Sequence, residues 1–345
     1  NLPILEIGGD AIGFFDVLLL LIIVFFIKII PQKFNPFFIF FSCFFVLITI
    51  SSVINSINFG ITFKDVLYLL KILELSLIPL VVTKILKTSQ QYKSNLFYFD
   101  RVVFTLSMLL LFYSLYQIVF LGWYRSGVPF LYGSSGPLGL IGAGLVIYAY
   151  FARNYKYNIL IIGISITLLA ISKSFILGII VVLIYKFRHY FNFRVVMFII
   201  TSLLLISLIG GFVTERVESL VYALQNFQDL NSLKYRISSH WFVLWNDHVN
   251  DYRLFIGGGV QSISLSFDSL YFYCFYTLGI FGSAILLMSG FILSVKYQIF
   301  RLYFIVALIS GIFLEASLIS YRGLEPLLIF LAYANFTYER RKYEG

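Results

Sequence analysis

The sequence predicts an all-α fold: a polytopic transmembrane helix bundle with one large external loop that contains short amphipathic helices. Hydrophobic residues make up 60% of the 345-residue chain and charged residues only 12%, against about 45–50% and about 25% in soluble domains. Apolar runs of about 20 residues, long enough to cross the hydrocarbon core as helices, recur along nearly the whole chain. Transmembrane barrels show alternating segments of about ten residues instead. Composition and run length together therefore indicate helices.

Charged, proline and glycine residues divide the apolar sequence into about eleven predicted spans. The chain begins with Asn1 rather than Met, so we expect a preceding stretch, which would supply a twelfth helix or a leader. The whole chain, 1–345, is predicted to be a single integral membrane domain, within which 213–267 is the external loop. The spans lie near residues 11–30, 37–55, 65–85, 97–121, 137–152, 157–172, 174–187, 195–213, 268–295, 302–319 and 323–337.

The net charge of +9 follows from this topology. Short cytoplasmic loops carry an excess of Lys and Arg, and with these spans six basic segments fall on the same side. Basic residues spread so widely do not form a nucleic-acid patch. The sequence therefore predicts a multi-pass membrane protein with its polar chemistry on the non-cytoplasmic face, which is the periplasmic face if the host is a Gram-negative bacterium. The basic residues are Lys28, Lys33, Lys84, Lys87, Lys93, Arg153, Lys156, Lys186, Arg188, Arg194, Lys296, Arg301, Arg340, Arg341 and Lys342.

The external loop, 213–267, has about 55 residues, far more than the median connection of about 4–6. Apolar residues recur in it at helical spacing, in "TERVESLVYALQNFQDL" and again around Trp241 and Trp245. We expect two short amphipathic helices across the mouth of the bundle, with the tryptophans at headgroup level. Arg236, His240 and Asp247 share one stripe of the second helix. Either this stripe faces a polar substrate, or it is a solvated face beside an interfacial tryptophan belt.

Three stretches resemble a known family. "RISSHWFVLWNDHVNDYRLFIGGG" and the following "FDSLYFYCFYTLGIFG" resemble the large-loop region of the O-antigen polymerase (Wzy) and O-antigen ligase family. "LLAISKSF" resembles the Ser-Arg motif that this family carries at an outer helix end, with Lys173 where Arg is more usual. Asp268 opens a span where ligases typically have His, which favours the polymerase.

The resemblance implies a multi-pass glycosyltransferase of the bacterial inner (cytoplasmic) membrane. It would act on undecaprenyl-pyrophosphate-linked repeat units, with its active site on the outer, periplasmic face. A polymerase moves the growing glycan from its lipid carrier to the nonreducing end of a new lipid-linked unit. A ligase moves it to lipid A core. Two alternatives therefore stay open: a ligase-type transferase, and a flippase for the same lipid-linked oligosaccharide. The long loop and the lack of an internal repeat argue against the flippase.

Transfer from a lipid pyrophosphate needs cations for the leaving diphosphate and help in removing a proton from the attacking hydroxyl. Arginine binds phosphate oxygens bidentately and stays charged. The candidate catalytic residues are Arg236, Asp268 and His240, with His248 as a further base; little base help is also compatible with this chemistry. The candidate substrate-binding residues are Arg125, Lys173, Arg216, Arg253 and Tyr271.

The sequence suggests no metal or cofactor. Its 3 His and 2 Cys show no usual ligand spacing, and its glycine-rich stretches lack the context of nucleotide-binding loops. The expected partners are undecaprenyl-pyrophosphate-linked oligosaccharides and membrane lipid, and no nucleic acid. The sequence does not decide whether a chain-length regulator protein also binds.

Overall fold

The computed structural model of the protein describes ten stretches of the chain. They are residues 3–7, 10–13, 35–88, 92–121, 135–152, 154–170, 172–187, 251–262, 269–312 and 321–344.

Helices form most of these residues, after a short antiparallel hairpin of β1 (Pro3–Ile7) and β2 (Asp10–Gly13). In chain order the helices are α1 (Pro36–Phe59), α2 (Phe63–Thr88), α3 (Tyr92–Val119), α4 (Ser135–Ala149), α5 (Lys156–Leu169), α6 (Lys173–Phe187), the one-turn α7 (Arg253–Ile256), α8 (Leu270–Lys296), α9 (Gln298–Ser310) and α10 (Tyr321–Glu344). A 3₁₀ turn, Gly259–Ser262, follows α7.

Four helices of the described residues are long and apolar enough to cross a membrane: Pro36–Asn58, Asp65–Leu86, Tyr98–Val119 and Leu270–Lys296. Four apolar helices are shorter: Gly136–Ala149, Lys156–Leu169, Ser174–Tyr185 and Gln298–Ser310. The prediction of a helical membrane protein is thus confirmed at this coarser level, whereas the count of about eleven spans stays a prediction.

The structure corrects the bounds of two predicted spans and does not describe a third. The span predicted at 11–30 cannot begin at residue 11, because Asp10–Gly13 is a strand paired with β1. The span predicted at 302–319 begins earlier, at Gln298, and its helix ends at Ser310, before Gly311. The span predicted at 195–213 lies outside the described residues.

Local sequence explains where α1 and α2 begin. The Asn35 side chain accepts a hydrogen bond from the Phe37 N–H at 3.1 Å, and Pro36 is preset for the first helical position. Thr62 and Asp65 form a reciprocal capping box, in which the Asp65 carboxylate accepts from the Thr62 N–H at 2.8 Å. The short 60–62 connection makes α1 and α2 antiparallel neighbours.

The core lies around α4, in which every residue from Leu138 to Ala149 is buried. A helix that is apolar on all sides belongs in the interior of a bundle. Gly142 and Gly163 let the backbones of α4 and α5 approach closely, because a Cβ on Gly163 would lie 2.9 Å from the Gly142 carbonyl oxygen. Small residues at such contacts are typical of helix packing in membranes.

Side-chain contacts tie basic helix ends together at one end of the bundle. Arg301, at the start of α9, donates to the Ser294 carbonyl at 2.7 Å, the Val295 carbonyl at 2.8 Å and the Tyr185 hydroxyl at 3.0 Å. It thereby joins the last turns of α6 and α8. The Tyr338 hydroxyl of α10 donates to Gln298 at 2.6 Å. The ends of α6, α8 and α10 thus meet at the start of α9.

Candidate functional site

The structure describes three of the eight predicted site residues, one of them only in its backbone. Arg253 begins α7, Tyr271 is the second residue of α8, and Lys173 begins α6, with its side chain outside the described part. The residues that lie outside the described stretches are Arg125, Arg216, Arg236, His240 and Asp268.

The last part of the predicted external loop is inserted between two helices. Gly257 contacts Thr277 of α8, and Gly259 contacts Ser52 of α1. Ser52 and Thr277 lie inside the candidate spans Pro36–Asn58 and Leu270–Lys296, about 9–11 Å along the helix from the nearer end at about 1.5 Å per residue. We expected the whole loop to stay outside the bundle; its residues 257–260 are instead buried within it.

A polar stripe of α1 satisfies the backbone of this inserted segment. The Ser51 hydroxyl donates to the Ile256 carbonyl at 2.5 Å, and the Asn55 amide donates to the Gly257 carbonyl at 2.7 Å. The Ser52 hydroxyl accepts from the Val260 N–H at 3.0 Å. Irregular backbone is tolerated at membrane depth only where the protein supplies such partners.

On the side opposite α1, the inserted segment packs against α8 where that helix is interrupted. The Gly258 N–H donates to the Tyr276 carbonyl at 2.7 Å. Gly279 has φ 68° and ψ −173°, which interrupts the helix at that residue. A Cβ at Gly279 would overlap the Phe255 carbonyl group, and a Cβ at Gly257 would overlap the Thr277 carbonyl group. Glycine is therefore required on both sides of this backbone contact.

Arg253 lies at the rim of the inserted segment, paired with Asp251. Its Nε donates to the Asp251 carboxylate at 2.5 Å, and both side chains are about a quarter exposed, at 26% and 28%. Burial works against ionisation of Asp251, but the hydrogen bond and charge of Arg253, with the N–H groups of Tyr252 and Arg253, hold the pKa of Asp251 below its usual value. A cation held in this way keeps a defined orientation.

Tyr271 lines an apolar cleft between α8 and α9. Its hydroxyl donates to the Leu308 carbonyl at 2.7 Å, and the residue is 41% exposed. The cleft has a volume of about 60 Å³ and is also lined by Leu287, which is exposed as well. Tyr271 and Leu287 lie on opposite sides of the interruption at Gly279. The cleft is therefore lined by both parts of α8.

Ser283 places a hydroxyl in the wall of this cleft. Its Oγ is buried and has no hydrogen-bond partner among the described residues. Serines elsewhere in α8 bond a carbonyl of the preceding turn, as Ser289 does with Leu286. Ser283 lies four residues after Gly279, in the first turn of α8 that follows the interruption. The break in α8 thus also shapes the cleft.

The sequence interpretation missed the stripe on α1. The residues Ser51, Ser52, Asn55 and Asn58 follow helical spacing in "ISSVINSIN", at the end of an apolar span. Polar side chains that share one helix face inside a span usually face the bundle interior. That spacing was the signal available in the sequence. The sequence did not indicate which segment these polar side chains bind.

The comparisons with known proteins assign the chain to no family. No family model, no curated protein and no solved structure matches the chain. Within the described stretches, no group of three or more His, Cys, Asp or Glu side chains could hold a metal ion. The geometry of the site itself is therefore the basis for assigning a function.

Proposed function

We propose that the chain is a membrane glycosyltransferase that polymerises a surface polysaccharide of the O-antigen type. Its donor is a glycan on undecaprenyl pyrophosphate, and its acceptor is a new lipid-linked repeat unit. The observation that carries the proposal is the insertion of residues 257–260, which are buried between α1 and α8 directly after α7. This insertion holds Arg253 of α7 near α8, the helix that Asp268 precedes.

The chemistry suits this arrangement. The hydroxyl oxygen at the nonreducing end of the acceptor attacks the anomeric carbon of the growing glycan. The bond from that carbon to the pyrophosphate oxygen breaks, and the diphosphate leaves with the bonding electrons. The hydroxyl proton passes to a base, for which Asp268 and His240 are the candidates, or to water. Arginine and lysine side chains stabilise the charge that develops on the leaving diphosphate.

The apolar cleft supports a lipid-linked substrate. Phe40, Cys274 and Phe304 line its interior, and Tyr271 and Leu287 are exposed at its edge. An apolar lipid group could lie in this cleft against Tyr271. The diphosphate that such a lipid carries would then be bound by the proposed cations Arg253, Arg236 and Lys173.

The test is complementation in the native host after deletion of the chain's own gene. Wild type is expected to restore a ladder of surface polysaccharide on a gel. Arg236→Ala and Lys173→Ala are expected to leave only a single capped repeat unit, at unchanged membrane levels, because each removes a proposed diphosphate contact. Arg101→Ala is the control, since Arg101 is an exposed cation in α3.

The outcomes distinguish a polymerase from a ligase or a flippase. A normal ladder in both Arg236→Ala and Lys173→Ala would remove the proposed site. Loss of even the capped single unit on gene deletion would redirect the assignment to a ligase or a flippase, because a polymerase is not needed to cap one unit.

A further inference from the structure

Asn55 of α1 is fully buried, and both ends of its amide are used. Its Nδ2 donates to the Ser51 carbonyl and to the Gly257 carbonyl, both at 2.7 Å. Its Oδ1 accepts from the Tyr252 hydroxyl at 3.1 Å. A buried amide with both donors and its acceptor satisfied is costly to replace by an apolar group.

The two bonds to the inserted segment bracket Arg253. Tyr252 comes directly before Arg253, and Gly257 follows it by four residues, at the end of α7. Ser51 and Ser52 bind the segment only after Arg253, at Ile256 and Val260. Asn55 therefore contacts the segment on both sides of the cation.

We infer that Asn55 is a positioning residue for glycan transfer, which rests on the proposed function. By holding Tyr252 and Gly257, it fixes the depth of the segment in the bundle and so the place of Arg253 beside α8. Asn55 itself touches neither diphosphate nor sugar. Its replacement lets the segment lift, so that Arg253 no longer meets the charge that grows on the leaving diphosphate.

The first measurement follows the segment without reference to any activity. Val260 is 2% exposed, so a Val260→Cys thiol is shielded from a membrane-impermeant maleimide. The background carries Cys43→Ala and Cys274→Ala. Adding Asn55→Leu is expected to raise the labelling rate about tenfold, the factor that loss of one or two hydrogen bonds gives in an opening equilibrium. The control is Ser56→Leu, because among the described residues the Ser56 hydroxyl bonds within α1, to the Val53 carbonyl.

The second measurement uses purified protein and lipid-linked repeat units as substrate. Asn55→Leu is expected to lower kcat about tenfold while KM stays within about twofold, because Arg253 is then held less accurately against the charge that develops in the transition state. Ser56→Leu is expected to leave both constants unchanged. A merely structural role would instead lower the amount of folded protein and leave kcat per folded molecule unchanged.

The outcomes are distinguishable. If the Val260→Cys thiol stays shielded with Asn55→Leu, Asn55 does not hold the segment and the inference fails. If labelling rises but kcat is unchanged, the segment's depth has no part in transfer; the inference fails while the proposed function stands. If wild type itself makes no polymer from the repeat units, the proposed function fails, and the positioning role fails with it even where labelling shows anchoring.

Discussion

At the residue scale, glycines decide whether the inserted segment fits. Gly257 and Gly60 have nearly the same backbone conformation, with φ 79° and ψ 173° in one and φ 72° and ψ 174° in the other. A Cβ on Gly257 would overlap the Thr277 backbone, whereas a Cβ on Gly60 would meet nothing within 4 Å. The two positions therefore separate backbone strain from steric overlap.

We predict that Gly257→Ala lowers the Tm of the detergent-solubilised protein more than Gly60→Ala does. Gly60→Ala should cost only the strain of this backbone region, about 1–3 kcal/mol. Gly257→Ala should add a steric cost of about 1–3 kcal/mol. Thermal unfolding of both variants gives the ranking. Equal shifts would mean that the backbone contact between Gly257 and Thr277 is absent or loosely formed.

At the element scale, the hydrogen bonds of Arg301 stabilise the turn between α8 and α9. Its guanidinium reaches three oxygens in different directions, on Ser294, Val295 and Tyr185. Lysine cannot reproduce this fork. The contact joins α6 to α8 and α9, so its loss loosens three helices at once.

We predict that the loss of Tm follows the order Arg301→Ala, then Arg301→Lys, then Tyr185→Phe. Hydrogen bonds from a charged donor contribute about 1.5–3 kcal/mol each, and these changes remove successively fewer of them. Lys296→Ala is the matched control, because Lys296 is an exposed cation at the end of the same helix α8. An Arg301→Ala protein as stable as Lys296→Ala would show that the three bonds contribute nothing net.

At the scale of the whole molecule, the two ends of the bundle differ in chemistry. Around α9, one end joins helix ends that carry Lys186, Lys296 and Arg301. The opposite end holds the inserted segment and the start of α8, where the Ser269 hydroxyl donates to the Gly311 carbonyl at 3.2 Å. Positive charge accumulates on the cytoplasmic side of membrane proteins, so we expect the inserted segment at the outer end.

We predict that an impermeant maleimide labels Asn58→Cys in intact spheroplasts and labels Tyr157→Cys only after lysis. Both positions are exposed, and Cys43→Ala with Cys274→Ala provides the background. Asn58 lies near the end of α1, and Tyr157 lies near the start of α5 beside Arg153 and Lys156. Labelling of both from the same side would contradict the predicted alternation.

The sequence by itself determined the class of the protein and the places of most described helices. The helices near 37–55, 65–85, 157–172 and 268–295 were predictable because apolar length and capping are local properties, readable within about 20 residues. The strand Asp10–Gly13 was missed, because its four residues continue into an apolar run.

Only the tertiary structure decided that the triple-glycine segment enters the bundle. Asn55 and Gly257 are 202 residues apart, and no local pattern relates a polar stripe on one helix to a distant glycine turn. The insertion depends on three-dimensional fit: carbonyls that require donors at membrane depth, and a helix break at Gly279 that leaves space for another backbone. The candidate residues Arg253 and Tyr271 were named from sequence, but their partners, Asp251 and the Leu308 carbonyl, were supplied by the fold.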